Sequence, residues 1–328
     1  MSALSDAAGQ PARLAMLLRA MSGVLVLLCL FAAIVFFDPN FLHPGPMMAF
    51  VKRSTPLMIL AMGQLFVIVT GGFDLSVGAI VSFTVLSSAL LLNGDAAGTW
   101  WVVPLVLALG AMLGTINGLV VSRLRVPSII ATLGMMISIN GAGLYWSGGS
   151  ARGYLPDAYR VLGRGNLPAI GPISGVPVAM LVLLAVVLGA SWLMHRASFG
   201  KMLLAVGDNA RAAELAGVPV NRVRTLSFML SGLSAGIAGV LLGGFSGPST
   251  GVGAGLEMQA ISATVIGGAQ LVGGRGSVAM ALAGSLTLQA LFTLLNLIGL
   301  PKPLRDAVQG AILIAAVAYS ALRETRKH

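Results

Sequence analysis

Acidic side chains are scarce in this chain, ten among 328 residues. They are Asp6, Asp38, Asp74, Asp95, Asp157, Asp208, Glu214, Glu257, Asp306 and Glu324, and by sequence position all fall in termini, loops or the ends of apolar runs. A carrier driven by protons or sodium needs ionisable groups near the membrane midplane to bind the driving ion, so this distribution argues against ion coupling. Cysteine is limited to Cys29, inside the first apolar run, which excludes a disulfide framework. The three histidines, His43, His195 and His328, have no metal-ligand spacing. No phosphate loop is present: Gly273-Gly274-Arg275-Gly276-Ser277 has neither the GxxxxGK[ST] spacing nor a lysine. No nucleophile with a base, and no ligand pair, lies within an apolar run, which removes an intramembrane hydrolase. Charge of either sign is sparse, at 9% of residues against about 25% in soluble domains.

What fills the chain is apolar, 57% hydrophobic residues with a mean hydropathy of +0.93. Runs of about 20 apolar residues read as membrane spans. They fall near Met16 to Phe37, Pro56 to Thr70, Leu75 to Leu92, Trp101 to Ser122, Val126 to Trp146, Val176 to Met194, Thr225 to Phe245, Leu256 to Val272, Ser277 to Ile298 and Leu304 to Leu322. The fold expected is all-α, a single polytopic domain over 1–328 with about ten transmembrane helices. The first run is too long for a signal-peptide core and reads as a retained span. The net charge of +10 is carried by Lys and Arg spread singly between the runs, which fits membrane orientation and not nucleic-acid binding.

With both termini inside, Lys52, Arg53, Arg152, Arg160, Arg164, Lys302 and Arg305 fall outside, and the remaining 13 of the 20 Lys and Arg fall inside. That bias predicts an N-in, C-in arrangement with inner tails at 1–12 and 323–328. Trp100, Trp101, Tyr145 and Trp146 then gather at the outer interface as an aromatic belt. Among the 43 glycines, Gly110 with Gly114 and Gly232 with Gly236 keep the spacing that lets helix backbones approach in lipid.

Three stretches stand out. Residues 196–224 form the long polar interruption of the second half and fall on the inner side. Within them Asp208 or Asn209 suits an N-cap, Arg211 and Glu214 lie one turn apart, Gly217 suits the position after the helix, and Pro219 forbids continuation. A helix of about two turns follows, too short to stand alone, so it is braced by its own protein or docked on another. Its face of Ala212, Leu215 and Ala216 has the size to fit a partner's groove.

The second stretch, Gly71-Gly72-Phe73-Asp74-Leu75-Ser76-Val77-Gly78, predicts a sharp break or re-entrant turn, with Asp74 and Ser76 capping the next helix or else touching solute. The third, Gly267-Gly268-Ala269-Gln270-Leu271-Val272-Gly273-Gly274, repeats the GGxxLxxG pattern and hints at an internal duplication. A second break is expected at Gly273 to Gly276. Inside the spans the polar residues are Gln64, Asn117, Asn140, Gln289 and Asn296, which either hydrogen-bond a neutral polyhydroxy solute or bond other helices.

These three blocks, in this order and spacing over nearly the whole chain, resemble the membrane permeases of bacterial ABC importers of the ribose/xylose/arabinose type. The resemblance implies a multi-pass permease of the bacterial inner membrane that translocates a monosaccharide handed over by a periplasmic solute-binding protein. It implies a second permease copy or close paralogue, and two cytoplasmic ATPase subunits that carry the ATP and Mg, leaving this chain without a cofactor. It assigns ATPase coupling to Asp208, Asn209, Arg211, Ala212, Ala213, Glu214, Leu215, Ala216 and Gly217. The chain departs from the family pattern at Phe73, Leu256, Gln259 and Gln270, changes that bear on the solute and not on the coupling helix. Permeases of the same superfamily for branched-chain amino acids or nucleosides are the nearest alternative, and an ion-coupled secondary transporter is the alternative of a different class.

Overall fold

The computed structural model describes residues 25–168 and 175–325. The expected tail 1–12, the start of the first span at Met16 and the last three residues of the 323–328 tail lie outside them. Among the described residues the chain is helical: α1 (Leu25–Phe37), α2 (Pro44–Val69), α3 (Val77–Leu92), α4 (Thr99–Arg123), α5 (Ser128–Ser147), α6 (Asp157–Arg164), α7 (Val178–His195), α8 (Ser198–Asp208), α9 (Ala210–Leu215), α10 (Val220–Ser246), α11 (Leu256–Ile266), α12 (Val278–Leu297) and α13 (Lys302–Thr325). The one β feature among them is an isolated antiparallel bridge between Asn166 and Pro177.

Each apolar run contains a helix, but lengths differ from expectation. Among the described residues six helices are long and apolar enough to cross a membrane: α2, α4, α5, α7, α10 and α12. The apolar helices α3 and α11 are shorter, and α1 is described only from Leu25. At 11 residues α11 is about 16 Å long, roughly half of a bilayer core. It stops at Ile266 and not at Val272, because Gly267 and Gly268 follow and Gly268 takes φ +106°, which ends the helix.

The second expected span also moves, since α2 starts at Pro44 and carries Pro56 in its interior. Proline there removes the backbone bond to the Lys52 carbonyl, yet the helix continues through it, and the neighbouring Ser54 and Thr55 hydroxyls donate to the carbonyls of Phe50 and Val51. Lys52 and Arg53 therefore sit on a helix and not in a loop, and Lys52 Nζ donates to the carbonyl of Arg164 on α6.

Helix α2 is the hub: most of it is buried, and it packs on α10, α11, α12 and α7. The most extensive helix pairing is α4 with α10. A Cβ on Gly110 would lie 2.6 Å from the Gly232 carbonyl oxygen, and one on Gly114 would overlap the Phe228 carbonyl oxygen. The two glycine pairs picked out by spacing thus pack on one another, backbone to backbone. The outer faces of α5 and α7 are exposed and apolar, the surface expected of helices that meet lipid or another subunit.

If backbone approach sets the α4–α10 distance, Gly114→Ala should lower stability by about 1–3 kcal/mol, because its methyl group has nowhere to go. Gly189 on α7 has open space around it. The Gly189→Ala change should be neutral or slightly stabilising. Thermal unfolding of the purified chain in detergent separates the two, and equal melting temperatures would show that the close approach is not stabilising.

Candidate functional site

The break between α2 and α3 sits inside the bundle, where an unpaired backbone group has no water to turn to. Every N–H from residue 70 to residue 76 has a partner. Thr70 and Gly72 donate to the Val67 carbonyl and Gly71 to that of Ile68. Phe73 N donates to Ser128 Oγ at 3.1 Å and Leu75 N to Thr132 Oγ1 at 3.0 Å, both from the first turns of α5. Gln64 of α2 turns its amide so that its oxygen accepts from Asp74 N at 3.1 Å and its nitrogen donates to Asp74 O at 3.3 Å. Ser76 N donates to Asp74 Oδ1 at 3.0 Å. Gly71, at φ +80°, takes the left-handed conformation that starts the turn.

Asp74 is fully buried. Its Oδ1 also accepts from Ser76 Oγ at 2.6 Å, and its Oδ2 accepts from Ser231 Oγ of α10 at 2.8 Å. Asn117 of α4 donates to Ser76 Oγ at 2.8 Å. Asp74, through its backbone, its carboxylate and the Ser76 hydroxyl bonded to it, therefore links α2, α3, α4 and α10. The capping expected of Ser76 takes another form: it occupies the N-cap position of α3, but its hydroxyl bonds Asp74 and Asn117 and not the helix. Sequence position alone put Asp74 at the rim of a span. The structure sets it inside, because the connection turns back into the bundle.

The five polar span residues separate accordingly. Gln64 and Asn117 are buried in this network. Asn140 of α5 is exposed to a cavity described below. Gln289 is half-buried on α12, and Asn296 is exposed and accepts from Arg305 Nη1 at 2.9 Å.

The second glycine turn meets the first. Gly274 N donates to the Val69 carbonyl at 2.9 Å, the last residue of α2. A Cβ on Gly273 would stand 3.0 Å from Gly71 N, and one on Gly276 would press on Leu65 and Val69. Gln270 N and the Arg275 carbonyl close the intervening loop at 3.0 Å, leaving Val272 exposed at its tip. The 196–224 stretch arrives at the same place: a Cβ on Gly207 would overlap both the Val69 carbonyl oxygen and Gly274 N, and one on Gly274 would run into the Asp208 carboxylate. Three blocks far apart in sequence are in backbone contact at one end of the bundle.

Helix α9 projects from that junction. Asn209, and not Asp208, is its N-cap, accepting from Ala212 N at 3.0 Å. Arg211 pairs with Glu214 at 2.9 Å on the exposed surface. At the far end Gly217 N donates to the Glu214 carbonyl and Val218 N to that of Ala213, with Gly217 at φ +84°, a Schellman ending. Ala213 alone faces inward, while Ala212, Leu215 and Ala216 are exposed, Leu215 at 76%. Gly78 is helical and belongs to no turn; its bare Cα makes room for the Glu257 carboxylate and the Gly253 carbonyl.

Two helices of the site region went unread in the sequence. Helix α8 buries Phe199, Leu203 and Val206, a helical spacing hidden between polar residues. Helix α6 lies between the expected spans ending at Trp146 and starting at Val176, and Tyr159 is buried on it and donates to Ser88 Oγ of α3 at 3.1 Å. Burial pushes the Tyr159 phenol above its ordinary pKa, so it stays a donor across the usual pH range.

Comparison with known proteins bears on the chain as a whole. Residues 47–317 match the family model described as branched-chain amino acid transport system / permease component. The autoinducer 2 import system permease protein of Enterobacter sp. (strain 638) is 36% identical over 91% of this chain and 85% of that protein. The L-arabinose ABC transporter permease protein of Azospirillum brasilense is 34% identical over 93% and 88%. The ribose import permease protein of Escherichia coli (strain K12) is 32% identical over 90% and 91%. No solved structure matches the chain.

Removing the Asp74 carboxylate by Asp74→Ala should strand Ser76 and Ser231 and cost about 2–4 kcal/mol, with Asp74→Asn recovering part of the loss. Thermal unfolding in detergent reads the cost, and solute ranking in uptake assays should stay the same. An altered ranking at an unchanged melting temperature would instead make Asp74 a solute contact.

Proposed function

The chain belongs to the family of branched-chain amino acid transport system permease components, and we propose that it is the membrane permease of an ATP-driven importer whose cargo is a monosaccharide. It is a multi-pass protein of the bacterial inner membrane. The family description mentions amino acids, but three relatives that match along nearly the full chain are named for autoinducer 2, L-arabinose and ribose. A small polyhydroxy cargo fits those names better than an amino acid does. It also fits the span residues, whose polar groups are mostly neutral amides and hydroxyls.

The observation that carries the mechanism is α9: a short helix capped at both ends, its small apolar face uncovered, seated on the junction of both glycine turns. Such a helix is a rigid knob for a groove on another protein. In this reading α9 is the coupling helix, its partner is a cytoplasmic ATPase that holds ATP and Mg, and closure of the ATPase pair pushes on the junction. Force applied there reaches α2 through Gly207 and Gly274, and reaches α3, α4 and α10 through the Asp74 network. The exposed Val272, at the tip of the second glycine loop, lies at the same end.

The remaining parts follow from the same reading. Ten helices cross or enter the membrane with both termini inside; α3 and α11 are shortened because the chain breaks within the bundle. A periplasmic binding protein delivers the sugar to the outer end, where Trp100, Trp101, Tyr145 and Trp146 are exposed at the α4 and α5 ends. A second permease, identical or paralogous, covers part of the exposed α5 and α7 surface.

Glu214→Arg combined with Leu215→Asp should leave the protein folded in the membrane but abolish ATPase co-purification and uptake. Normal assembly and uptake in that variant would remove α9 from the coupling role. Collapsing the proton gradient while ATP is maintained should leave uptake running. Uptake that stops at once would favour a secondary carrier, for which the buried Asp74 would be a candidate ion site.

A further inference from the structure

A cavity of about 430 Å³ opens between α3, α5 and the segment that leads into α11. Its walls are mainly apolar, but four polar side chains converge on it: Ser82, Asn140, Thr250 and Glu257. The size lies within the range of small-molecule sites, about 300–1,000 Å³.

Glu257 is the feature that needs explaining. It is half-buried in the first turn of α11 and has no ion-pair partner among the described residues, where the salt bridges are Arg164 with Asp157, Arg211 with Glu214, and Lys302 with Asp306. A half-buried carboxylate without a counter-charge, on a cavity with mainly apolar walls, is costly and calls for a functional reason. Room for it comes from Gly78, where a Cβ would overlap Glu257 Oε2 and the Gly253 carbonyl oxygen. Ser82 Oγ accepts from Gly253 N at 3.0 Å, which fixes the neighbouring segment and leaves the serine proton free to donate.

We propose that this cavity is a solute site within the permease itself, in which Glu257 and Asn140 grip neighbouring hydroxyl groups of a neutral monosaccharide and so select among sugars. This deepens the function proposed above and rests on it. The chemistry matches a polyhydroxy ring. A carboxylate accepts from two adjacent hydroxyls, an amide both donates and accepts, and the aromatic Phe83 in the wall offers an apolar surface to the ring's C–H groups. A hydrocarbon solute would leave the carboxylate unpaired, and an anionic one would be repelled by it. Selection of this kind is strong because a sugar lacking the gripped hydroxyl leaves a buried polar group unsatisfied.

The test uses the full transporter with its ATPase and binding protein in liposomes. D-ribose, L-arabinose and their monodeoxy derivatives are the probes, and ATP-driven uptake is measured after dividing out the binding protein's own preference. The unsubstituted transporter should discriminate at least one parent sugar from a monodeoxy derivative by about tenfold. Glu257→Ala should erase that ratio, Glu257→Gln should retain part of it, and Asn140→Ala should reduce it at a neighbouring hydroxyl. Asn140 is exposed, so its replacement reports on the site even if Glu257→Ala does not assemble. Ratios unchanged in Glu257→Gln and Asn140→Ala would overturn the site. Absence of any ATP-driven sugar uptake by the unsubstituted transporter would instead overturn the importer reading on which the site rests.

Discussion

The structure depends on one constraint, that a chain broken inside an apolar bundle must find a hydrogen-bond partner for every backbone group it frees. Between α2 and α3 the N–H groups are served by side chains of α2, α5 and the break itself, Gln64, Ser128, Thr132 and Asp74, together with turns at the end of α2. Those partners are amides and hydroxyls, whose placement is set by the break and not by anything transported. Polarity inside the membrane thus has two sources here, repair of the backbone and contact with a ligand. Gln64 belongs to the first, and Asn117 supports it at one remove by holding the Ser76 hydroxyl.

A consequence is that the two glycine turns and the 196–224 loop form a single structural unit. Contact between backbones leaves no side chain to act as a spring. Movement of α9 relative to the bundle must carry Val69 and Gly274 with it, or else break the bond between them. The α9 helix is attached to this unit by its N-cap side and by inward-facing Ala213, and its opposite face stays free for a partner. Stiff attachment on one side and an uncovered face on the other are what transmission of force requires.

Much of this was legible in the sequence, for physical reasons that can be named. The caps of α9 could be read because Asn209, Gly217 and Pro219 act on the backbone within a few residues. The glycine pairs of α4 and α10 could be read because backbone approach in lipid demands small residues at fixed spacing. Depth could not be read. Asp74 looks like a residue of a rim loop until the turn is seen to fold back on Gln64 and Ser231, and that reversal depends on long-range partners. Glu257 was hidden for the same reason, since the room it occupies is created by Gly78 from a distant helix. Helices α6 and α8 escaped because their apolar residues are few and separated by charges, so no long run marked them. The likeness to sugar-import permeases was carried by the three blocks that the fold brings into contact.

The glycine seam between α4 and α10 also sets mechanical limits. Two helices touching through their backbones cannot slide past one another by a turn without climbing over the Phe228 and Gly232 carbonyls. The pair therefore behaves as one beam, with α2 packed along α10 and the Asp74 network pinning α3 and α4 to it. Any displacement delivered at the junction must therefore carry that beam as one piece and cannot shear it along the seam.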